Sequence, residues 1–305
     1  MNYNALDDAI AIRKALTKPK DMNALIKIIA HRSNNQRQEI LKEYFTKYQR
    51  LLINDLKSEL SGNFKETVIS LFSLPVDFDC DQLNKAMKRL GTNEDTLIEI
   101  LTSRSNERLN QIKQKYKETY LKELEKDIGS DTSGSFRTLL QKLIEARRPN
   151  NNNPNQQECE ECAKRLFIAA KNKKDSLNDT YIQIFTEKSR EELALIGKIY
   201  YQWYQETLIS LIDNLFKGDF RKTLKYIIYS LLSPSEFFAY RINKAIAGLG
   251  TKDNMLIRIL VSRDEIDMER IKRYYKQLYK KSLYDAVKDD TSGDYRTLLL
   301  ELIGK

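Results

Sequence analysis

Two stretches near the C-terminus carry residue types suited to holding a hard cation. The first is Ile246-Ala-Gly248-Leu-Gly250-Thr251. The second, 40 residues beyond Gly250, is Asp290-Thr-Ser-Gly293-Asp-Tyr295. Ca2+ takes about six to eight oxygens, from backbone carbonyls as well as carboxylates. Glycine tolerates positive φ, so a glycine-rich turn can aim successive carbonyls inward. The carbonyls of Ile246, Gly248 and Gly250 would supply three oxygens and Asp290, read as the start of a helix, two more. With one carboxylate the site carries little ligand charge, so intrinsic affinity is expected to be weak. An anionic phosphate group would supply the missing charge, and the implied species is a protein–Ca2+–phospholipid bridge.

The pattern recurs earlier. Met87-Lys-Arg89-Leu-Gly91-Thr92 precedes Asp131-Thr-Ser-Gly134, with Gly91 and Asp131 again 40 apart. Arg89 stands where the later copy has Gly248. A carbonyl ligand survives that change, but the turn is expected to be strained and the site weaker. Either half alone reads as a turn or a helix cap. Both halves, twice, at equal spacing, point to a site.

The two copies belong to a wider repeat. Ser61-Gly62, Ser133-Gly134, Lys217-Gly218 and Ser292-Gly293 are spaced by 72, 84 and 75 residues. Arg32-Ser33, Arg104-Ser105, Lys188-Ser189 and Arg263-Asp264 keep the same spacings. Two markers in one register define a fourfold repeat. The register yields a tyrosine pair in each copy: Tyr44/Tyr48, Tyr116/Tyr120, Tyr200/Tyr204 and Tyr275/Tyr279. The i, i+4 spacing puts each pair on one helix face, read as core packing. Leu25/Ile28/Ile29 and their counterparts line a preceding helix. In the second copy, apolar periodicity outlines five helices, and nowhere is period-2 alternation sustained. The fold class is therefore all-α, with five helices per repeat. The boundaries are 1–75, 76–148, 159–233 and 234–305. Residues 149–158, rich in Asn and Pro, form a solvated linker expected to divide the chain into two pairs of repeats.

The same register tests the other two loops. The first repeat keeps an acid, Glu59, but its loop reads Thr17-Lys-Pro19-Lys-Asp21. The third has Asp175 in the glycine position and Leu215 in place of the acid. Two sites are expected to work and two are not.

Composition narrows the function classes. With 41% hydrophobic and 31% charged residues in 305, the chain reads as globular, and 10 Gly with 5 Pro argue against an all-β fold of many tight turns. No run approaches the length of a membrane span. Three cysteines without framework spacing, and no secretory pattern, point to a reducing, cytoplasmic compartment. A net charge of +9 favours anionic partners. His31, the sole histidine, has no visible catalytic partner. Cys159 and Cys162 lack the further ligands that zinc needs. No phosphate-binding Gly-rich loop exists, so neither an enzyme nor a small-molecule substrate is indicated. Lysine groups such as Lys113, Lys115 and Lys117 read as solvated faces rather than a nucleic-acid site.

The residues also resemble the annexin family over nearly the whole chain. The resemblance rests on Gly-Leu-Gly-Thr-Lys-Asp from Gly248, Val261-Ser-Arg-Asp-Glu-Ile-Asp-Met, Asp289-Asp-Thr-Ser-Gly-Asp-Tyr-Arg and Arg32-Ser-Asn-Asn-Gln-Arg-Gln-Glu-Ile. It implies four annexin-like repeats of five helices forming a slightly curved disc, with any N-terminal tail a few residues long. Calcium loops on its convex face would dock on anionic phospholipid membranes. The family's main site maps to the loop carbonyls and acids named above. Secondary sites would use Thr92 with Glu94, and Thr251 with Asp253. The expected function is calcium-dependent, peripheral and non-catalytic membrane binding as calcium rises. The alternative is a membrane or cytoskeleton scaffold with little need of calcium.

Overall fold

The computed structural model describes residues 3–88, 91–172, 176–248 and 250–304. Among these are twenty α-helices and no strand, five helices to each repeat. The first repeat supplies α1 (Ala5–Leu16), α2 (Met22–Ala30), α3 (Asn34–Tyr48), α4 (Leu52–Glu59) and α5 (Gly62–Phe72). The second supplies α6 (Pro75–Met87), α7 (Glu94–Ser103), α8 (Asn106–Tyr120), α9 (Leu124–Asp131) and α10 (Gly134–Ile144). The third supplies α11 (Gln156–Asn172), α12 (Leu177–Glu187), α13 (Arg190–Tyr204), α14 (Leu208–Leu215) and α15 (Gly218–Leu232). The fourth supplies α16 (Pro234–Ile246), α17 (Asp253–Arg263), α18 (Met268–Tyr279), α19 (Leu283–Asp290) and α20 (Gly293–Ile303).

Local signals explain the boundaries. Ser33, Ser105 and Ser189 cap α3, α8 and α13, and the first and third complete capping boxes with Gln36 and Glu192. In the fourth repeat Asp264 holds that position, and α18 starts later in the register, at Met268. Asp264 turns instead to Arg37, whose guanidinium is 2% exposed and also donates to the Ile29 carbonyl at 3.0 Å. An ion pair within the unit has displaced a cap. Each third helix ends on a left-handed residue, Gln49, Leu121, Gln205 or Lys280, with φ of 53–57°.

The tyrosine pairs are packing elements. Their ring centroids lie 4.8–4.9 Å apart in all four repeats. Tyr44, Tyr116, Tyr200 and Tyr275 are buried. Tyr44 and Tyr116 donate to Asp55 and Asp127 at 2.7 Å, and Tyr275 donates to Asn243 at 3.1 Å. Burial, reinforced by the Asp55 carboxylate, pushes the Tyr44 phenol up to about 12.

The chain forms two compact units, one of residues 1–78 with 238–305 and one of residues 79–237. The linker therefore does not separate pairs of repeats. The first repeat joins the fourth, and the second joins the third. Each unit is built by reciprocal packing. In one, α2 lies against α20 and α17 against α5; in the other, α7 lies against α15 and α12 against α10. The second helices are consequently buried on nearly all sides, not on a single face. Thr96 to Thr102 form an unbroken buried run, as do Met255 to Leu260. The linker connects the two repeats of one unit and is tied down inside it, since Ser189 Oγ donates to the Asn151 carbonyl at 3.0 Å. Arg148 donates to the Phe185 carbonyl at 2.6 Å and to that of Lys188, holding the C-terminal end of α12. Burial lowers its pKa to about 10, which leaves it charged at neutral pH. Helix α11 starts at Gln156, within the expected linker.

The marker base also gains a role. Arg32 forms a bidentate pair with Asp8 of α1, and Arg104 one with Asp79 of α6. Lys188 reaches Glu158 of α11 at 3.4 Å. In three repeats this base fastens the end of the second helix to the first helix. Arg263 instead pairs with Asp267 and lies 4.5 Å over the Phe238 ring. Arg104 and Asp79 are 8% and 4% exposed, whereas Glu158 is 60% exposed. Arg104→Ala should therefore cost about 3–5 kcal/mol in urea unfolding. Lys188→Ala should cost less, about 1–2 kcal/mol, because its buried partner Glu192 keeps the Ser189 N–H bond at 2.7 Å. Equal costs would mean that burial of the pair does not govern its worth.

Candidate cation sites

The expected sites must be assembled from segments about 40 residues apart, and the first question is whether those segments meet. In the second and fourth repeats they do. Thr92 Oγ1 lies 3.3 Å from the Asp131 carbonyl oxygen and 3.4 Å from its Oδ2. Thr251 Oγ1 lies 2.9 Å from the Asp290 carbonyl oxygen and 2.6 Å from its Oδ2. Each threonine hydroxyl clasps its acid, and the contact is tighter in the fourth repeat.

The loops are built alike. The Asn93 N–H donates to the Ala86 carbonyl at 2.9 Å, and the Lys252 N–H to that of Ala245 at 2.8 Å. Each bond closes a turn leaving the first helix of its repeat. Gly91 and Gly250 have φ of 88° and 82°, and a Cβ added at either would meet no atom within 4 Å. Glycine is needed there for backbone conformation, not for space. Met87 and Ile246 are the last residues of α6 and α16, where carbonyls lack an i+4 donor within the helix. Gly248 adopts no positive φ and has open space around it. Arg89 lies outside the described residues.

Asp131 and Asp290 are not at the start of the fifth helix but are the final residues of α9 and α19. This matters electrostatically, because a helix C-terminus carries partial negative charge. Each loop therefore joins two helix C-termini and a carboxylate. Both acids are partly exposed and open to solvent. Among the described residues no three His, Cys, Asp or Glu side chains cluster as a metal site, so a cation here would depend on backbone oxygens. Such a hard-oxygen donor set suits Ca2+.

The first repeat shows what such a position attracts. Lys20 stands in the register of Thr92 and Thr251, and its ammonium lies 2.9 Å from the Glu59 carbonyl oxygen and 2.8 Å from its Oε2. A tethered cation thus takes the same two kinds of oxygen that the threonines clasp. The loop is also one residue tighter. The Asp21 N–H reaches Ala15 six residues back, whereas the other two loops span seven. In the third repeat Leu215 ends α14 with no acid, and Asp175 lies outside the described residues.

The secondary pairs are less complete. Glu94 and Asp253 are the first residues of α7 and α17. The Tyr295 phenol is raised by burial and by the neighbouring Asp253 carboxylate, so Asp253 already has an internal neighbour. One recurring residue was missed in the sequence. Arg137 Nε donates to the Thr132 carbonyl at 2.7 Å, and Arg296 to that of Thr291, so each fixes the residue after the acid. The signal was present, since Lys65, Arg137, Arg221 and Arg296 share one register position.

The ammonium of Lys20 holds the Glu59 carboxyl below its ordinary pKa. A depressed carboxylate pKa contributes stability above its unfolded value, near pH 4.5, which is lost as pH falls through the folded value. In Lys20→Gln, NMR titration should show Glu59 moving up toward its ordinary value. An unchanged titration would mean that the contact does not hold the acid.

Comparison with known proteins agrees with this architecture. The Annexin family model matches four times, at residues 7–71, 78–143, 162–227 and 237–302. Annexin A7 of Homo sapiens is 39% identical over 305 residues, which is 100% of this chain and 62% of that relative. The chain thus spans less than two thirds of that relative's length. The solved structure of annexin III superposes with a TM-score of 0.96 at 38% identity, covering 100% of this chain and 95% of the other. The crystal structure of calcium-bound annexin (Sm)1 superposes at 0.88 with 31% identity, covering 99% and 90%. Four matches to one family model, in register with four five-helix repeats, show that this chain belongs to the annexin family.

Proposed function

We propose that the protein binds anionic phospholipid membranes reversibly and peripherally in response to Ca2+, through the loops of the second and fourth repeats and without catalysis. The observation that carries this reading is the threonine clasp, which brings a carbonyl-rich turn and a lone carboxylate together twice. A solved neighbour at 31% identity is described as calcium-bound, which supports the choice of ion. Bound Ca2+ would supply the positive charge that a phosphate headgroup needs. The chain's part is to hold Met87, Gly91 and Asp131, and Ile246, Gly248, Gly250 and Asp290, as preorganised oxygen donors. Arg89 would add its carbonyl to the first of these sets. Thr92 with Glu94, and Thr251 with Asp253, would add weaker sites. Two weak sites engaging one membrane gain by avidity.

The compartment implied is the cytoplasm, with movement to membranes as calcium rises. Among the described residues no helix is long and apolar enough to cross a membrane. A second reading, a membrane or cytoskeleton scaffold with little calcium need, is favoured by one observation. Lys20 already neutralises the acid of the first repeat.

Pelleting with vesicles of acidic phospholipid, in calcium or in chelator, separates the two. Binding should require calcium. Pelleting unaffected by chelator but abolished by salt would reject the calcium reading. Asp290→Asn should raise the calcium needed for half-maximal pelleting by about tenfold or more. Asp131→Asn should raise it less, because its clasp is looser; equal shifts would show that the looser clasp is no handicap. Leu215→Ala should leave the calcium response unchanged.

A further inference from the structure

The fourth repeat contains a second feature, remote in kind from the calcium loops. The exposed face of α18 and the neighbouring α19 border an open hollow of about 620 Å³. Lys272, Arg273, Lys276 and Lys288 line it together with Ser282 and Tyr284. Two acids, Glu269 and Asp285, also border it, leaving the lining net positive. Lys272 pairs with the exposed Glu269 at 2.9 Å, and Asp285 is engaged by Ser282.

Repeat comparison shows that this charge is not needed to fold a repeat. At the four basic positions the first repeat has Leu41, Lys42, Phe45 and Lys57. The third has Gly197, Lys198, Tyr201 and Asp213. The second repeat is the informative sister. Its Lys113 and Lys117 match Lys272 and Lys276, and each has an acid: Glu125 at 3.7 Å and Glu123 at 2.8 Å. In the fourth repeat the positions of Glu125 and Glu123 are Tyr284 and Ser282. Those two carboxylates have become hydroxyls and Arg273 and Lys288 are added, while Lys272 keeps an acid of its own in Glu269 and Asp285 replaces Lys126.

We propose that this hollow binds a small anion bearing two or more phosphates, either free in solution or as the headgroup of a polyphosphorylated lipid. Clustered ammonium and guanidinium groups give charge-assisted hydrogen bonds to phosphate oxygens, and the arginine can bind them bidentately. The Tyr284 hydroxyl adds a neutral donor, while that of Ser282 is spent on Asp285. An open hollow of about 620 Å³ is wide enough for a compact polyol phosphate.

The test uses the whole chain in chelator, so the calcium loops are silent and their failure cannot be confused with this one. Inositol trisphosphate is titrated by calorimetry. In parallel, pelleting is measured with neutral vesicles containing phosphatidylinositol bisphosphate and with phosphatidylserine vesicles of matched charge. Saturable binding is expected, weakened about tenfold or more by Arg273→Gln with Lys276→Gln. Ser282→Glu with Tyr284→Glu, which restores the pattern of the second repeat while leaving every cation in place, should weaken it similarly. Lys113→Gln with Lys117→Gln should leave it unchanged. Binding of the soluble probe without selective vesicle retention assigns a free anion. Retention on the bisphosphate vesicles, competed by the soluble probe, assigns a headgroup. The proposal is overturned by absence of saturable binding in both arms, by equal retention on phosphatidylserine, or by equal loss in the Lys113/Lys117 variant.

Discussion

A single repeat of this chain cannot bury its own second helix. Seven consecutive residues of α7, from Thr96 to Thr102, are shielded from water, and the repeat's own helices do not cover them all. The cover comes from α15 of the third repeat, while α10 of the second returns the service to α12. The same exchange joins the first and fourth repeats. Helices buried on nearly all sides require neighbours on all sides, so the folding unit is the pair, and the chain's first and last repeats must meet to complete one.

With the second and fifth helices committed to the interior, the ends of the first and fourth are left for chemistry. The turn after the first helix and the terminal acid of the fourth converge because the threonine at the end of the turn bonds that acid. Two helix C-termini and a carboxylate then form a region of negative potential without any dense cluster of acidic side chains. The repeats tune one geometry by small changes. In the fourth the clasp is short, in the second it is longer, and in the first a lysine ammonium takes the place of an external cation. The third has lost the acid.

The same logic of variation on one frame distinguishes the basic hollow of the fourth repeat. Its sister in the second repeat pairs each of its lysines with a glutamate. Exchange of those glutamates for Ser282 and Tyr284 leaves the helices in place and changes what they attract. A repeat fold separates the residues that make it stable from those free to specialise. The marker bases, the buried tyrosines and the capping serines belong to the first group.

The sequence by itself determined the fourfold register, the all-α class, the five helices per repeat and the partners Gly91–Asp131 and Gly250–Asp290. These follow from local chemistry repeated at fixed spacing, such as caps, apolar periodicity and glycine turns. It did not show that Asp131 and Asp290 end a helix, because an Asp-Thr-Ser-Gly run looks the same at the end of one helix and at the start of the next. Nor did it show why an arginine or lysine marks each repeat; in three of the four its partner lies 24 to 30 residues back on another helix. The Asn- and Pro-rich linker pointed to the wrong grouping, since a solvated spacer looks alike within a unit and between units. Only the tertiary structure decided which repeats pair. That choice depends on which buried faces are complementary, and on contacts such as Arg37 with Asp264, formed across 227 residues of chain.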